Sequence, residues 1–381
     1  MARLTRLPAD DPGLRDRHIL ALPPDVAADE VEVLAISRFA NARWEETPQD
    51  VLQPRGIIGP MTAALGIRAV GAATVPPRTL RLARLSTLNG PFRMETGDAV
   101  SLGLPATSTL AYILVCPRER GEKPYPGGDR DGLKRAFPDG MPIREEERVL
   151  QWMVAAARRL GGSVRTGGSG TVLTPDVDSA IDLTVLSDSW LEPEDALRVV
   201  QSVLPRARLS EAASGTWTGP QPGVGRDAGA QPGWVAEAGG RGLSAALDQH
   251  GVTDEVERRR LMDEAAAYDE LMLAVPPAPE AFGVLVDLGH DGMLSVEAGV
   301  ETALPPLMRE LPWTKNGVVA YRVHWEPPFI EELEAERPSF EHRVARSRAA
   351  PLVQAVARVV HGAIGGEIAD EADFLVDPED V

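Results

Sequence analysis

The sequence predicts an α+β protein built from two related α/β sandwich units of the split βαβ or ferredoxin-like type. In such units mixed or antiparallel sheets carry helices on one face. Three observations predict this class. Strand-like runs alternate with amphipathic helices from residue 109 onward, two stretches in different halves of the chain follow one pattern, and a Gly/Pro-rich segment lies between them.

The predicted elements rest on hydrophobic periodicity and helix-end signals. Residues 110–116 form an apolar run typical of a buried strand. Residues 144–160 predict a helix with Glu in its first turn and Arg in its last, as the helix dipole favours. Residues 31–36 alternate as a strand does. Further strands are predicted at 163–166, 181–186, 282–288, 293–296 and 318–325, and further helices at 192–204, 253–272, 301–311 and 351–364.

Two segments, 149–166 and 353–370, share one pattern: an amphipathic helix, a double glycine and a short strand. When the segments are aligned on the glycines, Val164 matches Ile368. An internal duplication explains the match. Helix–glycine–strand junctions are also common enough for two of them to look alike by chance, so both interpretations stay open.

Composition divides the chain into four parts. Residues 215–242 hold nine glycines and three prolines, which indicates a domain boundary or a long loop. Trp217 and Trp234 lie in this stretch and are the candidate partner-binding residues, because an indole anchors a loop onto its own domain or onto a partner. The predicted parts are an N-terminal region of short strands and loops (1–108), a first α+β unit (109–210), a Gly/Pro-rich loop with a helical connector (211–280) and a second α+β unit (281–381).

Charge and cysteine content exclude several classes of protein. The 381 residues carry a net charge of −18, which argues against a nucleic-acid binder. Arginine supplies 36 of the 39 basic residues, a composition typical of a high-GC bacterium. Cys116 is the single cysteine, so an internal disulfide is excluded, and its place in an apolar run predicts a buried small side chain. We find neither an export signal nor an apolar run of about 20 residues, so we expect a cytoplasmic protein away from the membrane.

Several catalytic signatures are absent from the sequence. Gly-Lys never occurs, which removes a Walker A phosphate loop, and His-Glu-x-x-His is missing. No serine has glycine at both the −2 and +2 positions, so the nucleophile elbow is missing as well.

Residues 168–169 (Gly-Ser) and 179–183 (Ser-Ala-Ile-Asp-Leu) resemble the nucleotidyltransferase motif Gly-Ser followed by Ser-Asp-x-Asp-Leu. In that family the two aspartates hold magnesium against the nucleotide phosphates. Ala180 stands where the family has its first aspartate, so one metal ligand of the motif is missing. The candidate metal ligands of this stretch are Asp176, Asp178 and Asp182.

A second candidate site combines a hairpin turn with a strand end. Asp287 and His290 flank the turn, and His324 and Glu326 lie near the end of the 318–325 strand. If the two ends meet, these side chains form an acid–base or metal cluster. A polar turn and an unrelated strand-end histidine are the alternative interpretation.

The leading functional hypothesis is a non-catalytic protein that binds a protein partner or a small ligand, or pairs as a homodimer. The absence of catalytic signatures and the tryptophan-bearing loop favour it. The alternative is a metal-dependent hydrolase or a nucleotidyltransferase-like enzyme that uses an acidic/His cluster, so the sequence leaves open whether the protein is an enzyme. No particular cofactor is indicated.

Overall fold

A computed structural model describes most of the chain. The described residues are 3–45, 74–210, 247, 252–274 and 281–381. The chain divides into two compact units, one formed by residues 1–209 together with 283–381, the other by residues 210–282. In the smaller unit the structure describes one helix, close to the predicted 253–272. Trp217 and Trp234 lie outside the described residues.

Helices and strands alternate along the described chain. The helices are α1 (Ala28–Arg38), α2 (Thr96–Ser101), α3 (Leu133–Ala136), α4 (Arg144–Arg159), α5 (Pro193–Gln201), α6 (Glu255–Ala274) and α7 (Phe340–Ile364). The strands are β1 (Arg3–Leu4), β2 (His18–Leu22), β3 (Arg43–Trp44), β4 (Thr74–Val75), β5 (Arg78–Arg81), β6 (Thr87–Arg93), β7 (Leu110–Val115), β8 (Ser163–Arg165), β9 (Val172–Leu173), β10 (Leu183–Ser187), β11 (Arg208–Leu209), β12 (Ala281–Asp287), β13 (Met293–Glu301), β14 (Val318–Glu326), β15 (Glu367–Asp370) and β16 (Leu375–Val376). None of the described helices is long and apolar enough to cross a membrane.

Two seven-stranded antiparallel sheets confirm the predicted α+β class with two similar units. The first has the strand order β3-β5-β6-β7-β2-β8-β9, and the second has the order β11-β12-β13-β14-β10-β15-β16. Apart from the short helices α2 and α3 in the first half and helix α6 in the second, each sheet follows the same path along the chain: a strand, a helix, four strands, a helix and two final strands. We call residues 3–173 the first half and residues 183–376 the second half.

The strand register shows which residues of the two halves correspond to each other. Leu20 in the central strand β2 faces Tyr112 on one neighbour and Val164 on the other. In the second sheet the same place in β10 faces Tyr321 and Ile368. Each half therefore carries a buried tyrosine at the same place, and Val164 and Ile368 correspond as the sequence alignment has them.

The double glycines at 161–162 and 365–366 have the same structural role in both halves. The first glycine of each pair has φ of 63° or 70°, the left-handed conformation that ends a helix without steric cost. The second glycine lies against the central strand. A Cβ placed on it would come 2.5 Å from the Ala21 carbonyl oxygen in the first half, and 2.0 Å from the Leu186 carbonyl oxygen in the second.

Helices α1 and α4 pack on one face of the first sheet. The predicted apolar stripe of α4 is buried, and Trp152 lies at its centre, with its ring 5.8 Å from that of Phe39. Trp152 also donates its Nε1–H to the Leu34 carbonyl at 2.9 Å. One polar bond and a T-shaped ring contact therefore fix α4 against α1.

Three predicted elements are corrected by the structure. Residues 301–311, predicted as a helix, hold the end of β13 and a 3₁₀ turn at Pro306–Met308. Residues 31–36 lie in helix α1 rather than in a strand, because Val31, Leu34 and Ala35 follow helical spacing and are the residues buried. The helix predicted to begin at Pro351 begins at Phe340 and carries Pro351 inside it. Ser339 caps it by accepting the N–H of His342, so this helix start depends on a cap and not on the proline.

The segment 109–210 contributes strands to both sheets. Strands β7, β8 and β9 lie in the first sheet, whereas β10 and β11 lie in the second. The four-part division of the chain stays a prediction.

We predict that Gly366→Ala lowers the free energy of unfolding by about 2–3 kcal/mol, because a Cβ at φ 95° meets the Leu186 carbonyl. Gly362→Ala, one turn earlier in α7 with open space around its Cβ position, is the matched control. This control should raise stability by about 0.5–1 kcal/mol through helix propensity. Urea unfolding measures both variants, and equal midpoints would contradict the close-packing role.

Candidate functional site

A cavity lies where the two halves meet, and we call it the junction cleft. It has a volume of about 770 Å³. Its walls come from α4, α7, the link between β9 and β10, and the turn of the β15–β16 hairpin. The lining residues are Ala155, Arg158, Arg159, Asp176, Val177, Asp178, Ala180, Ile181, Leu183, Arg343, Arg346, Ser347, Ala350, Gln354, Asp370, Glu371, Ala372, Val376, Asp380 and Val381.

The cleft exists because one connector is short. In the first half 28 residues (116–143) join β7 to α4, whereas 13 residues (327–339) join β14 to α7. Counted from the aligned glycines and strand registers, Leu183 and Ala350 in the cleft correspond to His18 and Glu146 of the first half. The long connector fills that space in the first half, and the short one leaves it open in the second.

Two nearly buried arginines, one from each half, face the cleft. Arg158 donates to the Glu371 carboxylate at 2.9 Å and to Asp131, while its Nε–H is buried without a partner. Arg346 donates one hydrogen bond, to Asp176 at 2.6 Å. A guanidinium has five N–H donors, so most donors of Arg346 have no acceptor among the described residues.

Two further arginines stand at the mouth of the cleft. Arg159 and Arg343 are exposed, and neither forms an ion pair with a described residue. The guanidinium of Arg343 lies 6.0 Å from the Phe340 ring centroid, a distance at which it has little cation–π stabilisation. Both side chains are therefore free to turn toward a bound group.

The acidic groups of the cleft wall are already bonded. Asp370 accepts the N–H groups of Ala372 and Phe374 at 2.9 and 3.0 Å through one carboxylate oxygen. Burial raises the pKa of Asp370, more than these two bonds and the nearby Arg159 lower it. Burial acts to raise the pKa of Asp176, but the hydrogen bond from Arg346, the Asp178 N–H and the charges of Arg346 and Arg343 together hold it below its ordinary value.

His342 adds a second unpartnered polar atom beside Arg346. The side chain is buried, its Nδ1 has no hydrogen-bond partner, and its ring lies 5.1 Å from that of Trp325. Burial first, and then the charge of Arg346, lower the pKa of His342. The imidazole is therefore neutral at pH 7.

The predicted metal ligands Asp176, Asp178 and Asp182 have separate surroundings. Asp176 pairs with Arg346, and Asp178 is exposed in a short 3₁₀ turn. Asp182 accepts the Trp325 N–H at 2.9 Å. Among the described residues these three carboxylates are not gathered into a group that could hold a metal ion.

The predicted catalytic residues lie on the second sheet and its hairpin. Asp287 ends β12 and accepts the Gly289 N–H at 2.7 Å, and His290 occupies the following 3₁₀ turn. Glu326 ends β14 opposite Met293. The structure joins two residues that the sequence analysis assigned to different candidate sites. His324 Nδ1 lies 3.2 Å from the carboxylate of Asp182. This hydrogen bond raises the pKa of His324, against a smaller opposing effect of burial.

A buried polar network in the first half escaped the sequence analysis. Glu146, at the start of α4, lies within 3.0 Å of His18 Nε2 and accepts the Glu119 N–H at 2.8 Å and a bond from Arg120. Burial acts to raise the pKa of Glu146, yet these hydrogen bonds hold it below its ordinary value. A Glu in the first turn of a helix usually signals a dipole interaction, so nothing in the sequence marked this one as buried.

The lone cysteine lies beside this network. Donor atoms of His18, Cys116 and Glu146 lie within 4.8 Å of one another, a set that matches zinc chemistry. However, His18 Nδ1 accepts the Gly167 N–H at 3.0 Å, so its Nε2 carries the proton and donates to Glu146. Burial and the nearby carboxylates raise the pKa of the Cys116 thiol to about 12. His18 and Glu146 therefore form a hydrogen-bonded pair that joins β2 and α4 to the long connector, and Cys116 lies beside it.

Comparison with known proteins adds no relative: no family model, curated protein or solved structure matches the chain.

We predict that Glu146 makes folding sensitive to acid. Its pKa is lowered in the folded state, so its stabilisation is complete above its ordinary pKa of 4.5 and is lost as pH falls through the folded value. Glu146→Gln should cost about 3 kcal/mol at pH 7 and flatten the decline below pH 4.5. Glu147→Gln, an exposed neighbour in the same helix turn, is the control. Equal pH profiles of unfolding for wild type and Glu146→Gln would contradict this role.

Proposed function

We propose that this protein is a cytosolic, non-catalytic binding protein that holds a small polar ligand in the junction cleft. The observation that carries the proposal is the convergence of Arg158 from the first half and Arg346 from the second on one cavity. A volume of about 770 Å³ lies within the range of small-molecule sites, roughly 300–1,000 Å³. The wall is charged, which favours a polar ligand over an apolar one.

We further propose that the two halves descend from one duplicated unit. The identical strand order, the matching register around Tyr112 and Tyr321, and the double glycines with one role support this origin. The shorter connector of the second half leaves the cleft open.

A substitution that fills the cleft tests its use. Ala350 lines the cavity from α7, so Ala350→Trp should abolish binding of polar fragments that wild type binds, as seen by saturation-transfer NMR. Ala363→Trp, an exposed site on the same helix outside the cleft, should leave binding unchanged. Fragments that bind all three proteins equally, or that bind none of them, would sink the proposal.

A protein partner, including a second copy of the chain, is the alternative occupant of a binding surface. Phe329, Ile330 and Phe340 favour it, since these side chains are 65–69% exposed near the start of α7. Light scattering tests the homodimer, because a homodimer has twice the chain mass of 40.8 kDa.

An acid–base enzyme is the second candidate, and the pair His324–Asp182 favours it. Since Asp182 raises the pKa of His324, Asp182→Asn should shift the NMR titration of His324 to lower pH. Wild type should then hydrolyse a member of a panel of activated phosphate and carboxylate esters, with Asp182→Asn and His324→Gln both impaired. A wild-type protein inactive on the whole panel removes this candidate.

A further inference from the structure

The junction cleft has an imbalance between hydrogen-bond donors and acceptors. Its wall carboxylates are occupied: Asp176 by Arg346, Glu371 by Arg158 and Arg130, and Asp370 by two backbone N–H groups. The donors are in surplus, because Arg346 uses one of its five N–H groups and the Arg158 Nε–H is buried with no partner.

An unmatched donor that is cut off from water costs free energy, and the cost is larger when the donor is charged. Arg346 and Arg158 are each 6% exposed, and the Nε–H of Arg158 is buried without a partner. A ligand that brings oxygen acceptors removes this cost. Guanidinium groups match the planar, paired oxygens of carboxylates and phosphates better than any other side chain does.

Two exposed arginines and two exposed carboxylates stand at the mouth of the cleft. Arg159 and Arg343 face no described carboxylate within ion-pair distance, whereas the nearby Arg348 lies 3.3 Å from Asp291. Asp178 and Asp380 also stand at the mouth, and their exposed carboxylates would repel an anion unless the arginines outweigh them. The two buried guanidiniums are paired with carboxylates but keep N–H donors without acceptors, and an acceptor that reaches those donors is little screened by solvent.

We propose that the ligand of the junction cleft is an organic anion, bound through a phosphate or carboxylate group by Arg346, with Arg343 and Arg159 closing on it from the mouth. This inference rests on the proposed binding function and deepens it by naming the ligand class. The rest of the ligand is small and polar, since Ser347 and Gln354 line the cleft beside the arginines.

Calorimetry at low ionic strength tests the proposal with defined probes. Inorganic phosphate and pyrophosphate represent one source of the anion and citrate the other, with glycerol as a neutral probe and spermidine as a cation. At least one anion should bind, and Arg343→Gln should weaken its binding about tenfold, the loss of one charge-assisted hydrogen bond. Arg346→Lys keeps the charge but removes the paired geometry, and should weaken binding by a similar factor.

Arg348→Gln is the matched control, since Arg348 is an exposed arginine of the same helix outside the cleft and should leave anion affinity unchanged. Thermal unfolding of each variant separates weakened binding from failed folding. If glycerol or spermidine binds, no anion binds, and Ala350→Trp abolishes the binding, the anion assignment is wrong. The proposed function then still stands. If Arg343→Gln and Arg348→Gln weaken anion binding equally, the anion assignment is also wrong, because such binding reflects the general charge of the helix surface. If no probe binds, both the assignment and the proposed function fail.

Discussion

The close approach of a glycine to the central strand is the contact on which each half depends. After the long helix the chain must turn and enter the sheet directly beside β2 or β10. At this point the backbone passes so near a strand carbonyl that a Cβ would stand 2.0–2.5 Å from its oxygen. Only glycine fits, and the preceding left-handed glycine gives the turn. The pair thereby sets the spacing between helix and sheet, and that spacing determines which helix residues reach the core.

On this shared frame the halves have diverged in their buried polar groups. His18, Cys116 and Glu146 of the first half correspond to Leu183, Trp325 and Ala350 of the second. Since the second half has apolar side chains at the corresponding positions, the fold itself does not require the buried polar network of the first half. Its bonds to Glu119, Arg120 and Gly167 hold the long connector and the turn after β8 in place.

That connector links the network to the junction cleft. Asp129 donates its N–H to the Glu334 carbonyl at 2.8 Å, and Arg135 pairs with Glu336. From the other side, Phe374 of the β15–β16 hairpin joins the core of the first half. The two halves are thus fastened on both sides of the cleft. Its buried arginines, Arg158 and Arg346, are held in position by contacts that belong to the fold.

The sequence by itself determined the local elements: the α4 stripe, the hairpin around residues 289–292 and the double-glycine junctions. These depend on periodicity and backbone freedom within a few residues of one another. Only the tertiary structure decided the α1 helix, the partner of Asp182, and the meeting of Arg158 with Arg346. Such contacts depend on strand order and connector length. A charged residue looks the same in a sequence whether it ends in water or in a cavity, because its surroundings are supplied by segments distant along the chain.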